Sequence, residues 1–270
     1  MPELPETETI AGDLDRLISG LRIEGAHVTR LDVLRRASPG RLARRVVGRS
    51  VAKVHRRAKT VCVALEGGDR LLVTPRFTGA LLFDLPDDPY TCLSFPLSGG
   101  HHLAYRDVRR LGTVTLVDAA GYDSFDESLG IEPLDVGFTG DALSGIVRGL
   151  ASPIKKVLMD QRRIAGIGNI YANEGLWLAG IDPSRAASGL SGTECATLAS
   201  ELRGVLAASV AARGTTFRDY QDATGGRGGF ASALQCYGRG GEPCTRCGTQ
   251  LTESQAIDGR STVFCHRCQR

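Results

Sequence analysis

Four of the chain's eight cysteines stand as two pairs, Cys244-x-x-Cys247 and Cys265-x-x-Cys268, with seventeen residues between the pairs. Each Cys-x-x-Cys turn aims two thiolates at one point, and a connecting hairpin that brings the turns together builds one tetrahedral zinc site. Four thiolates leave no open coordination position, so this metal is expected to be structural. Two disulfides are the other use of the same cysteines, and an intracellular chain disfavours them. Cys62, Cys92, Cys195 and Cys236 are scattered and read as buried packing. At the other end stands MPELPETETI. Pro2, Glu3, Pro5 and Glu6 place two prolines and two carboxylates where chains are commonly frayed. They either stiffen and charge a helix start or form a working part in themselves. A third feature is IAGIGNIYANEGL, where Gly166 and Gly168 permit a tight turn ahead of a helix near Asn169. Amides at that helix start suit an anion, and Lys155, one helix earlier, is placed to meet the same charge. With no preceding parallel strand, this Gly-x-Gly is not a dinucleotide fingerprint.

The elements that must position these residues fall into two kinds. Ile10, Leu14, Leu17 and Ile18 recur at helical spacing, with Gly20 placed to end the helix. From about residue 22 to 120 the pattern changes to short strand-like runs: RIEGAHVTRLDV, TVCVAL, RLLVT, ALLFDL, HHLAYRD and TVTLVD. Gly67-Gly68 reads as a hairpin turn, and consecutive strands without intervening helices predict an antiparallel sandwich. GIEPLDVGFTGD separates this half from a helical one, placing a boundary near residue 138. DALSGIVRGL, IKKVLMDQ, NIYANEGLWLAG and TECATLASELRGVLAASVAARG follow as helices, the last with a capping box from Ser191 to Glu194. QDATGGRGGF, residues 221–230, reads as a mobile glycine-rich loop.

At 270 residues, 42% hydrophobic and 23% charged, the composition is that of a folded soluble protein with room for two cores. No apolar run approaches the roughly 20 residues that cross a bilayer, and no secretory signal is visible, so an intracellular protein is expected. Net charge is only +3, yet ten Lys or Arg and no acidic residue lie between Arg35 and Lys59. Interleaved with Val, Leu and Ala, this block reads as a folded basic surface for a polyanion. Arg239, Arg246, Arg260, Arg267 and Arg270 surround the cysteine pairs and suit either phosphate or solvent.

MPELPETET, RRAK, DVRRLG, LGIEPL, IKKVLMDQ, GIGNIYANE, YGRGGEPCTRCG and FCHRCQ stand in an order and spacing that resembles the formamidopyrimidine-DNA glycosylases, within the larger family that includes endonuclease VIII. The resemblance runs from Pro2 to Cys268. It implies an α+β chain: an amino-terminal helix plus antiparallel β-sandwich (1–137), a helix-two-turn-helix domain with a lesion-capping loop (138–234) and a β-hairpin zinc finger (235–270). Double-stranded damaged DNA is then the partner, gripped between the halves by a monomer. The implied activity is excision of oxidised purines, 8-oxoguanine and formamidopyrimidines, followed by strand cleavage. In that scheme Met1 is removed and the nitrogen of Pro2 is the nucleophile. An α-amine of pKa about 7.7–8 is neutral often enough near pH 7 for that task. Glu3 is the general acid at the sugar-ring oxygen, Glu6 shapes the lesion pocket, and Lys59 lies near the damaged nucleotide's phosphates. Lys155, Asn169, Arg260 and Arg110 match phosphate-binding positions, and Phe77, Arg109 and Leu111 fill the gap left by the extruded base.

Two of those three filling positions depart from the family. TPRFTG stands where HLGMSG is usual, so Phe77 replaces a methionine and Thr74 a phosphate-binding histidine; Leu111 replaces a phenylalanine. Phe77 is then either an aromatic wedge or an ordinary core residue, and Arg76 is placed to meet the phosphate in the histidine's stead. These departures keep open a relative that acts on oxidised pyrimidines, on another modified base or on abasic sites only. A non-catalytic damaged-DNA binder is the reading from a different class.

Overall fold

The computed structural model describes residues 2–270. Its contacts divide the chain into two compact units, residues 2–128 with 210–231, and residues 129–209 with 232–270. The cut after Ser128 precedes the composition change near 138, and the glycine-rich segment returns to the first unit instead of staying with the helices before it.

The first unit is built on helix α1, Leu4–Ile18. Glu3 is its N-cap and Pro5 occupies the first turn, where a missing N–H costs nothing. Ile10, Leu14 and Ile18 are fully buried, as their spacing predicts, while Leu17 is half-buried. Gly20 follows the helix at φ +86°. Helix α2, Pro39–Val46, capped by Ser38, lies inside the basic block. Five strands, β2 (Leu34–Arg35), β9 (Thr113–Val117), β5 (Arg70–Thr74), β4 (Thr60–Leu65) and β3 (Val51–Arg57), pair in that order. β1 (His27–Val28), β7 (Thr91–Pro96), β8 (His102–Asp107) and β6 (Gly79–Phe83) form the second sheet. All pairs are antiparallel except the two-residue β2–β9 ladder. One core holds residues of both sheets and α1, among them Val61, Leu71, Val114, Leu93, Phe95 and Tyr105.

Gly67 and Gly68 close the β4–β5 hairpin with φ of +94° and +93°. Two strands carry no sequence signal strong enough to predict them. β3 holds four basic residues and a bulge between Val51 and Lys53, which breaks its alternation. β7 is buried along nearly its whole length and ends in Pro96. Helix α3, Ala119–Glu127, capped by Asp118, covers the outer side of Cys62, Leu72 and Val117 with Tyr122 and Phe125. Burial pushes the Cys62 thiol up to about 12, so this cysteine is inert packing.

The second unit contains α4 (Gly140–Val147), α5 (Ile154–Leu158), α6 (Asn169–Ala179), most of α7 (Gly192–Ala211) and the hairpin β10 (Thr252–Ser254) with β11 (Thr262–Phe264). A Cβ on Gly175 of α6 would lie 2.4 Å from Leu202 of α7, so only glycine lets these helices approach. No helix among the described residues is long and apolar enough to cross a membrane.

Segment 210–231 is pinned to α1 rather than loose. The Arg213 guanidinium bridges Asp13 of α1 and Asp222, each at 2.5 Å, and both carboxylates are buried. Asp222 accepts from the N–H groups of Thr224 (3.0 Å) and Gly226 (2.7 Å), which shapes the glycine run. Replacing Arg213 by Ala removes the cation shared by two buried carboxylates, a loss tempered by Arg16 on Asp13, by the N–H groups on Asp222 and by water reaching the half-exposed guanidinium position. Amides of residues 214–229 are expected to exchange about thirtyfold faster in Arg213→Ala, equivalent to about 2 kcal/mol, as read by hydrogen exchange.

The predicted capping box is present at α7. Ser191 N–H donates to Glu194 Oε2 at 2.8 Å, and Glu194 N–H donates to Ser191 Oγ at 3.2 Å. Arg185, donating to Glu194 Oε1 at 2.5 Å, holds this carboxyl down at about 2. Because the folded value lies below the unfolded one of about 4.3, the stabilisation is complete above that value and is lost as pH falls toward 2. Urea unfolding followed by helical circular dichroism should show Glu194→Gln less stable than the parent at pH 6 and equal to it near pH 2.

Candidate active site and nucleic-acid interface

In the first unit, Pro2, Glu3 and Glu6 are all buried at the start of α1. Glu3 and Glu6 form a reciprocal capping box, in which the Glu3 N–H donates to Glu6 Oε2 at 2.8 Å. The other Glu6 oxygen accepts the Thr215 N–H at 2.7 Å, and Tyr220 Oη donates to the Glu6 carbonyl at 3.4 Å. A single carboxylate thus orients both the chain start and the root of the glycine-rich loop. Gly214 adopts φ +85°, a conformation that favours glycine, and a Cβ there would crowd Glu6 Cγ at 3.0 Å.

Lys59 is half-buried at the turn between β3 and β4, beside Ala58 at φ +52°. The Ala58 carbonyl accepts from Thr7 Oγ1 of α1 at 3.5 Å and from Arg56 Nη1 at 3.1 Å, which seats this turn against the first turns of α1. Next to Lys59, Thr60 Oγ1 lies 2.8 Å from Thr74 Oγ1. The threonine that stands for the family's histidine is thus bonded within the sheet.

Phe77 and Leu111 are exposed, each at 42%, on the β5–β6 and β8–β9 loops, so Phe77 is not a core residue. The Arg109 guanidinium lies 4.7 Å from the centre of the Phe77 ring. Both loops hang on the buried Asp107. It accepts from Thr78 Oγ1 at 2.6 Å, the Arg109 N–H at 3.2 Å, the Gly112 N–H at 2.9 Å and Tyr105 Oη at 3.1 Å. No local pattern announces Asp107, because Thr78 lies 29 positions away. Arg76 is exposed. Arg110 is in an exposed ion pair with Asp32 at 3.1 Å, a contact that contributes little in water. The basic block is likewise partly neutralised: Arg45 meets Asp69, Arg56 meets Glu8 and Arg57 meets Asp126.

In the second unit, Gly166 (φ +87°) makes the turn before α6, and its N–H donates to Gln161 Oε1 at 2.8 Å. Asn169 begins α6 and donates through Nδ2 to the Ser261 carbonyl at 3.0 Å. Lys155 departs from the reading as a phosphate ligand. Its side chain is fully buried, and Nζ donates to the Ser261 carbonyl at 2.8 Å and Thr262 Oγ1 at 2.7 Å. The ammonium therefore holds the zinc hairpin onto α5, and a phosphate in solvent cannot reach it. Arg260, next to Ser261, is exposed and touches Met159 Sδ at 3.7 Å.

Asn173 and Glu174, absent from the sequence-based expectations, are two buried residues of α6 that seat the cysteine-bearing segment. Asn173 Oδ1 accepts from the Val263 N–H at 2.8 Å, and the buried Glu174 carboxylate accepts from three successive N–H groups, Gln235, Cys236 and Tyr237, at 2.7–2.9 Å. The i,i+4 spacing of Asn169 and Asn173 in NIYANE is the local signal that points to them. Arg246 is exposed but likewise committed to the protein: it lies 4.0 Å over Trp177 and donates to the carbonyls of Trp177 and Leu178.

The Sγ atoms of Cys244, Cys247, Cys265 and Cys268 lie within 4.8 Å of one another, with the Cys247–Cys265 pair at 3.6 Å and the Cys244–Cys268 pair at 4.0 Å. A tetrahedron of Zn–S bonds of about 2.3 Å has S···S edges of about 3.8 Å, so the donor set fits one structural zinc ion. Cys236, Leu251 and Val263 back it with Trp177.

Three families match along the chain: the formamidopyrimidine-DNA glycosylase N-terminal domain over residues 1–114, the formamidopyrimidine-DNA glycosylase H2TH domain over 129–221, and the zinc finger found in FPG and IleRS over 241–270. Formamidopyrimidine-DNA glycosylase of Moorella thermoacetica is 43% identical over 256 residues, covering 93% of each chain. That of Chloroflexus aggregans is 40% identical and covers 100% of this chain and 98% of its own. Among solved structures, the MutM (Fpg) protein of Thermus thermophilus superposes with a TM-score of 0.89 at 35% identity, covering 99% of this chain and 98% of that one. The Lactococcus lactis Fpg in complex with DNA containing an abasic site superposes at 0.92 with 29% identity and 99% coverage of each.

With so little apolar area of its own, the hairpin depends on the metal. Chelating the zinc should release protection of amides in 235–270 while β3–β9 amides stay protected in hydrogen exchange; equal protection of the tail after confirmed metal loss contradicts this.

Proposed function

The chain belongs to the formamidopyrimidine-DNA glycosylase family, and from that membership we propose that it is a bifunctional DNA glycosylase and apurinic/apyrimidinic lyase of base excision repair, acting on oxidised purines. The observation that carries the proposal is the buried first turn of α1, where Pro2, Glu3 and Glu6 stand together beside the turn that bears Lys59. Removal of Met1, which lies outside the described residues, converts the Pro2 nitrogen from an unreactive amide to a secondary amine.

That amine attacks the anomeric carbon of the damaged nucleotide, forming a C–N bond as the bond to the base breaks, and the N–H proton of the amine leaves with the departing base, which restores the nitrogen lone pair. Glu3 donates a proton to the sugar-ring oxygen, the ring opens, and the nitrogen lone pair completes an iminium. The positive nitrogen acidifies the neighbouring carbon. Loss of that proton drives elimination of the 3′ phosphate, and a second proton loss eliminates the 5′ phosphate. Water then releases the sugar remnant and regenerates the amine. Glu6 is a positioning residue as well as a pocket wall, since its oxygens orient the Glu3 backbone and the loop root. Lys59 balances phosphate charge near the lesion.

An extruded base leaves a gap that Phe77, Arg109 and Leu111 fill. Asn169, Arg260 and Arg110 meet phosphates, which position the duplex without reading the lesion. Lys155 acts one step back, by fixing Ser261 and the start of β11 beside Arg260. We divide these tasks among the sequence-defined regions 1–137, 138–234 and 235–270, and place the protein inside the cell with the chromosome.

Borohydride trapping on duplexes with 8-oxoguanine, a formamidopyrimidine, an oxidised pyrimidine or a preformed abasic site tests the reading. Covalent adducts with the oxidised purines, reduced at least a hundredfold in Pro2→Gly, are expected. Trapping at the abasic site alone moves the substrate to abasic DNA, and no adduct with any duplex rejects the catalytic proposal.

A further inference from the structure

The loops that carry Phe77 and Arg109 are joined in a way their sequences do not announce. Phe77 adopts φ +43°, a left-handed conformation that is costly for a bulky aromatic. It nevertheless stands 42% exposed, so apolar burial does not account for the strain. The Arg109 guanidinium covers its ring at 4.7 Å. The backbone beneath is rigid: the Arg109 N–H donates to Thr78 Oγ1 at 3.0 Å, and that hydroxyl donates to the buried Asp107. A Cβ on Gly112 would lie 2.0 Å from Tyr105 Oη, and one on Gly79 2.9 Å from it, so the two loops converge on one phenol. The Arg109 guanidinium carbon thus sits within cation–π reach of the Phe77 ring, on two loops tied to the same buried carboxylate.

We propose that Phe77 is a specificity-determining residue of this glycosylase, its ring acting as a shelf that pre-orients Arg109 toward the base left unpaired opposite the lesion. This rests on the DNA-repair reading above. A flexible side chain at position 77 fills the same gap but leaves the arginine to find its direction after insertion, losing rotamer entropy on binding. A ring in cation–π contact restricts the swing of the guanidinium before DNA is met, so hydrogen bonding to a base edge becomes directional and discriminates between opposing bases.

The test uses the full zinc-loaded protein and duplexes with a tetrahydrofuran abasic analogue opposite each of the four bases. The ratio of dissociation constants between the worst and best opposing base is the readout. Phe77→Leu should shrink that ratio about fivefold, the size of an exposed cation–π contact, whereas Phe77→Trp should keep it. In an Arg109→Ala background, Phe77→Leu should not change the ratio further, because a shelf has no effect without its guanidinium. An unchanged ratio in Phe77→Leu, or an equal loss in Phe77→Leu and Phe77→Trp, overturns the proposal. Borohydride trapping on a natural abasic duplex is run alongside: its failure in the parent protein rejects the catalytic reading, while the binding ratios still decide the role of Phe77.

Discussion

Glu6 sits almost without solvent at the first turn of α1, and a carboxylate there is tolerable only if hydrogen bonds replace its water. One oxygen takes the Glu3 N–H and the other the Thr215 N–H. Both bonds are charge-assisted, each contributing about 1.5–3 kcal/mol. Because Glu3 lies 3 positions from Glu6 and Thr215 lies 209 positions from it, the carboxylate fixes a terminus and a distant loop root in one frame. A glutamine at this position would set an amide NH2 against one of those donors. The backbone of Pro2, one residue before Glu3, inherits its placement from this frame. The Arg213 bridge between Asp13 and Asp222 repeats the arrangement about two helical turns further along α1.

The second unit solves an equivalent problem with charges of both signs. A hairpin with two strands of three residues has almost no core, so it is held by metal ligation and by buried polar groups of α5 and α6. Lys155 commits its ammonium to Ser261 and Thr262, and Glu174 commits its carboxylate to three consecutive N–H groups before the first cysteine pair. Arg246 adds a cation–π contact with Trp177. Groups that look like anion binders by type therefore serve to hold a platform, while Arg260 is exposed on it.

The same division runs through the first unit. The basic block between Arg35 and Lys59 is counterbalanced by Glu8, Asp69 and Asp126, acids that lie outside it in sequence. Its net field is weaker than a count of charges suggests. Exposed Phe77 and Leu111 sit on loops tied to Asp107, so their exposure reflects a held position rather than poor packing.

Features whose causes lie within a few residues are legible in the sequence. The α1 stripe of Ile10, Leu14 and Ile18, the Gly67-Gly68 turn, the Ser191–Glu194 box and the paired cysteines each declare themselves through local spacing, and each has its expected form. The motifs around Pro2, Lys59 and Asn169 carry the family resemblance for the same reason. Strands β3 and β7 are not legible, since a bulge and near-complete burial erase the period-two signal. Nor are the inward turn of Lys155, the hub at Asp107, or the return of 210–231 to the first unit. A side chain's type determines what bonds it can make, but whether it meets solvent or a partner 29, 107 or 209 positions away is decided only when the chain folds back.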